Sequence, residues 1–156
     1  MKICSETTDE PKALYQQGLA KLTGNGTTRN VQEAQNLFRR AASLDESISR
    51  EVFGMPYRAE FRDHVDLLLV NWHRFAARHG CLLSMVRLGF AYKDGTGVAK
   101  KPLVALACFH YAKFQGFAPA VMAAKPLSRQ VGKTQNALAE RWAFQWIASG
   151  QLPVEL

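Results

Sequence analysis

Between Met85 and Gly116 the apolar positions follow a helical period twice, on either side of a glycine-rich break. Met85, Leu88, Gly89 and Tyr92 recur at steps of three, one and three, which places them on one face of a helix. Gly89 lies on that face without a Cβ. A glycine inside a helix costs ~1 kcal/mol relative to alanine, so a neighbouring helix is expected to approach it closely. Asp94-Gly95-Thr96-Gly97 then ends the helix, because glycine readily takes the left-handed conformation that a helix C-terminus needs. Val98 is the one apolar residue of this loop and is expected to tuck under the turn. Pro102 suits the first turn of a second helix, where its missing N–H is no loss. Ala105, Phe109 and Ala112 recur at i, i+4 and i+7 and suit tight helix packing, and Gly116 stops the run. The stretch predicts an αα-hairpin.

The same pattern occurs earlier in the chain. A constant offset of 71 residues carries Gly18 onto Gly89, Gly24 and Gly26 onto Gly95 and Gly97, and Asn30 onto Lys101. It also carries Ala34, Phe38 and Ala41 onto Ala105, Phe109 and Ala112. Half of that offset predicts a further copy between the two, found in worn form as Phe53-Gly54, Tyr57 and Trp72 to Gly80. A last copy runs from Gly116 through Ala118, Ala120 and Ala124 to Trp142 and Gly150. Self-similarity at this period is the signature of stacked helical repeats, in which each unit buries its neighbour's face.

At these residues the chain resembles the Sel-1-like repeat family, α/α solenoids related to tetratricopeptide repeats. Residues 82–116 carry the fuller pattern, with Ser84 in a small-residue slot and Lys101 where the family usually has Asp. Residues 12–45 follow it with Gln17 and Lys21 in place of the Leu88 and Tyr92 positions. Those two polar residues either cap an array that nothing precedes or reflect drift. The resemblance implies an all-α fold, a short right-handed α/α solenoid of about four helix-turn-helix repeats. The expected division is a flexible segment 1–11, one domain over 12–150 and a tail over 151–156. Its repeats would span 12–45, 46–80, 81–116 and 117–150, the second and fourth degenerate. The resemblance also implies roles in bacterial or eukaryotic complex assembly, signalling, secretion, envelope regulation or effector-neutralising immunity.

Composition narrows the function further. The chain has 156 residues, 47% of them hydrophobic and 21% charged, the balance of a globular domain rather than a disordered one. No apolar run reaches the roughly 18 residues of a membrane span. The first residues, MKICSETTDEPK, hold no apolar core of a leader, so a cytoplasmic location is expected. Cys4, Cys81 and Cys108 are an odd set without a CxxC motif and read as reduced thiols.

Motifs of chemistry are sparse. Gly132-Lys133-Thr134 ends like a phosphate-binding loop, but that motif requires glycine where Leu127 stands. The paired turn glycines Gly24/Gly26 and Gly95/Gly97 follow no strand and lack a third glycine, so they are structural rather than a dinucleotide fingerprint. His64 lies near Asp63 and Asp66 without a second ligand pair at metal spacing. His73, His79 and His110 fall on or near second helices as satisfied or surface groups. Cys108 fills the slot of Leu37, Trp72 and Trp142 and reads as core. Trp72, Trp142 and Trp146 occupy core-like positions and make poor stacking platforms. No enzyme activity, cofactor, metal or small-molecule substrate is expected.

Charge supplies the remaining signal. The net charge is +7, and it is unevenly spread. Residues 45–66, with Pro56 as a helix breaker, hold six of the thirteen acids and read as a distorted repeat or a solvated connector. From Leu67 to Ala139 the only acid is Asp94, against Arg74, Arg78, Arg87, Lys93, Lys100, Lys101, Lys113, Lys125, Arg129 and Lys133. Such a field steers acidic partners toward the surface. The sequence therefore points to a protein–protein interaction module for an acidic protein partner. Its contacts are expected on the first helices of the hairpins, at Arg87, Phe90, Lys93, Lys125 and Arg129. Alternatives are a nucleic-acid binder using the basic 67–139 face, without a base-reading motif, and a hydrolase in the 45–66 segment dependent on His64.

Overall fold

The computed structural model describes residues 3–55, 65–154 and 156. Among them are eight α-helices and no strand: α1 (Ile3–Thr23), α2 (Val31–Leu44), α3 (Glu46–Phe53), α4 (Val65–Arg78), α5 (Leu82–Asp94), α6 (Pro102–Phe114), α7 (Pro119–Val131) and α8 (Lys133–Ser149). Pro56, Tyr57, Glu60, Asp63 and His64 lie outside the described residues. The chain forms two compact units, Met1–Phe75 and Ala76–Leu156.

In the first unit α2 packs against α1 and α3. Phe38 is fully buried at the centre of an aromatic cluster, with Tyr15, Trp72 and Phe75 at centroid distances of 5.5, 5.6 and 5.1 Å. Tyr15 donates its hydroxyl to a Glu51 carboxylate oxygen at 2.6 Å, and burial together with that carboxylate raises the phenol's pKa. The Asn71 side chain ties α4 to α3 by donating to the Phe53 carbonyl at 2.9 Å, beside the left-handed Gly54 that ends α3. Asp45 caps α3 by accepting from the Ser47 backbone N–H and hydroxyl, which hold its carboxyl below the usual range.

In the second unit α6 is the central element, packed against α5, α7 and α8. Its sequence explains that position. Ala105 to His110 and Ala112 are all buried, so no polar face is left for solvent over that run. Cys108 is wholly buried, and desolvation pushes its thiol far up, as fits core filling and not a nucleophile. Cys81 and Cys108 are both free thiols.

The two clear hairpins repeat one another in detail. Gly24 N–H donates to the Ala20 carbonyl and Gly95 N–H to the Ala91 carbonyl, each at 2.8 Å. Both glycines have positive φ, as do Gly26 and Gly97. One residue before each second helix, Asn30 N–H reaches the Lys21 carbonyl and Lys101 N–H the Tyr92 carbonyl, again both at 2.8 Å. The close approach expected at Gly89 is present. A Cβ there would meet Phe109 Cε1 at 2.4 Å, and one at Gly18 would meet Phe38 at 3.0 Å. The glycines are therefore sockets for the ring of the second helix.

Candidate interaction surface

Helix α5 exists because Met85, Leu88, Gly89 and Tyr92 bury one face under α6. The opposite side carries the residues that the sequence marks for binding. Arg87 and Phe90 are exposed and Lys93 is half-buried, spaced three apart along one strip. Phe90 is held, not loose. One contact of its ring is an edge-on packing with buried Phe109 at 5.1 Å. The Lys93 ammonium lies over the same ring, 5.4 Å from its centroid. Cation–π contact of this kind is worth roughly 0.5–1 kcal/mol at an exposed site. The result is an apolar ring, 40% exposed, bordered by two cations on a rigid helix.

Lys125 and Arg129 are exposed on α7, one turn apart. They share a side of α7 with Met122, which is 70% exposed, while Ala120, Ala124 and Leu127 face inward. The structure thus groups Arg87, Phe90 and Lys93 on one helix and Lys125 and Arg129 on another, both packed on α6. Acidic groups that partner bases in the first unit, such as Glu33 on Lys21 at 3.3 Å, have no equivalent in sequence near this strip except Asp94.

Two tryptophans depart from the sequence reading. Trp142 and Trp146 are half-buried rather than core, because Ala139 and Ala143 form the inward stripe of α8. With Tyr92, Lys101, Val104 and Leu156 they line a cleft of about 310 Å³. The Val154 carbonyl accepts from Arg78 Nη2 at 3.3 Å, and Leu156 is buried.

Of the two readings the sequence left for His110, satisfied or surface, the surface one does not hold, since the residue is buried. Its Nε2 is 2.7 Å from Asn136 Oδ1, while the buried Nδ1 has no hydrogen-bond partner. Desolvation lowers its pKa, so the neutral ring is favoured. His73 and His79 are half-buried. Among the described residues no three His, Cys, Asp or Glu side chains cluster as metal ligands. No helix among them is long and apolar enough to cross a membrane.

The Sel1 repeat family model matches residues 11–46 and 82–116, so the chain carries Sel1 repeats at both clear hairpins and is an all-α helical-repeat protein. Among solved structures it is similar to a Sel1 repeat protein from Oxalobacter formigenes, with 21% identity and a TM-score of 0.43. That match covers 86% of this chain and 56% of the other, so the chain spans little more than half of that protein's length. No curated protein matches the chain.

Proposed function

We propose that this Sel1-repeat chain is a protein-binding module that recognises an acidic protein surface through the first helices of its hairpins. Sel1 repeats are generally protein–protein interaction modules, and their helical scaffolds typically lack enzymatic activity. The observation that carries the finer reading is the α5 strip. Arg87 and Lys93 flank an exposed, anchored Phe90, in a stretch whose only acid between Leu67 and Ala139 is Asp94. An aromatic anchor ringed by cations is the composition of an interface hot spot, where aromatic residues and arginine are enriched. Lys125 and Arg129 on α7 would extend the same basic character. Complex assembly, signalling, secretion or immunity-type neutralisation are the settings such a module fits.

The basic 67–139 stretch also supports a second reading, nucleic-acid binding through the phosphate backbone. One experiment separates the two. The chain is used as bait in lysate of its host, with and without nuclease, alongside the double variant Arg87→Glu/Lys93→Glu. A single protein retained after nuclease, and lost or weakened roughly tenfold or more in the variant, is the expected result. Recovery that vanishes with nuclease would replace the protein partner with nucleic acid. Retention unchanged by the charge reversals would move the site off α5.

A further inference from the structure

Helix α8 presents a second surface, separate from the basic strip. Ala137, Glu140, Arg141, Phe144, Gln145 and Ala148 line a shallow groove of about 420 Å³ whose exposed surface is almost entirely apolar. These positions follow i, i+3, i+4, i+7, i+8 and i+11, the seam that one helix offers another. The inward stripe of α8, Ala139 and Ala143, lies on a different face. Phe144 stacks on Phe114 with centroids 4.3 Å apart and planes 10° apart, yet remains 55% exposed. Its ring is therefore fixed in place with one side open.

We propose that this groove is the contact between two copies of this chain, formed by antiparallel pairing of α8 about a two-fold axis. The residues of the groove select that occupant. An isologous contact brings each residue against another of the same patch, so the patch must complement itself. Placing the axis between positions 140 and 141 does this over the stretch from Ala137 to Phe144, with Gln145 and Ala148 at the margins of the contact. Glu140 of each copy then faces Arg141 of the other, giving two opposite-charge pairs. In the same register Phe144 of each copy sits over Ala137 of the other, a large ring over a small residue. Centring the axis on Phe144 instead opposes ring to ring and leaves both charges against apolar residues.

The charge of the whole chain points to the same face. Two copies that each carry +7 repel one another over most of their surfaces. From Thr134 to Leu152, however, the only charged residues are Glu140 and Arg141, so α8 itself contributes no net charge over that run, a further base near Phe144 being Lys113 over Phe114. The self-paired seam from Ala137 to Phe144 spans seven steps of roughly 1.5 Å. A contact of that length belongs to the small, weak class of interfaces. The dimer is accordingly one that forms as concentration rises.

Sedimentation equilibrium over a wide concentration range tests this on the full chain. The wild type is expected to move from monomer toward dimer. Arg141→Glu and Glu140→Arg each place like charges together twice, and each alone is expected to weaken self-association roughly tenfold or more. Mixed in equal amounts, the two single variants should associate with each other, because both pairs become attractive again in the mixed dimer. The double swap Glu140→Arg/Arg141→Glu should restore self-association, with far-UV circular dichroism unchanged throughout. A wild type that stays monomeric at the highest concentration would overturn the proposal. So would a dimer indifferent to the single reversals, or single variants that fail to pair when mixed.

Discussion

Gly89 shows how much one missing methyl group decides. Phe109 is fully buried and packed under Phe90, so its ring has little room to withdraw from a Cβ placed 2.4 Å away. Overpacking a close-packed core costs typically 1–3 kcal/mol, whereas the helix itself would gain ~1 kcal/mol from alanine. At Gly89 the clash wins, and Gly89→Ala is expected to lower stability by about 1–2 kcal/mol. At Gly18 the nearest ring atom is at 3.0 Å, the two terms nearly cancel, and Gly18→Ala is expected to be close to neutral. Urea unfolding of both variants checks the contrast, and equal losses would refute the socket account. This residue-scale feature was legible beforehand, since a glycine on an apolar helical face has few other uses. Trp142 and Trp146 were not legible in the same way. Hydrophobicity marks them for burial, but which side of α8 faces α6 is settled by the closer approach that Ala139 and Ala143 permit.

At the scale of elements, the two hairpins differ most where their second helices begin. Asn30 caps α2, its side chain accepting from the Glu33 N–H at 3.0 Å. Lys101, 71 residues on and in similar extended backbone, makes no side-chain cap for α6. It also sets a positive charge at the positive end of the helix dipole. Supplying a carboxylate there satisfies a free N–H and reverses that charge, so Lys101→Asp is expected to stabilise the chain by about 0.5–1 kcal/mol. Asn30→Ala should cost about 1 kcal/mol by the same mechanism. Thermal unfolding of the pair measures both, and a destabilised Lys101→Asp would mean that the lysine contributes through the cleft it lines beside Trp142. The hairpins themselves were readable because their turn glycines are intact. Between them the turn glycines are lost. There Gly54 closes the short helix α3 instead, and Asn71 fastens it to α4, contacts that no repeat pattern announces.

The charge field is a property of the whole chain, and it makes a prediction separable from that of the individual ring. The repeat pattern gave the helical architecture, and composition gave the excess of bases, but neither places a cation over an exposed phenyl ring. Under the proposed function, that arrangement would divide the work of binding. Long-range attraction by the basic surface speeds encounter, and it decays as salt shortens the Debye length to about 8 Å at physiological ionic strength. In the proposed role the anchored Phe90 would act only after contact, by burying its open side, and would therefore govern escape. For the protein partner, raising sodium chloride should slow association steeply while changing dissociation little. Arg87→Glu should reproduce much of that slowing at low salt. Phe90→Ala should instead hasten dissociation roughly tenfold at every salt concentration, with association nearly unchanged. Surface plasmon resonance across a salt series reads both rates. If Phe90→Ala leaves dissociation untouched while the charge reversals remove all affinity, the surface is a purely electrostatic one, and the strip on α5 gives attraction without a specific seat.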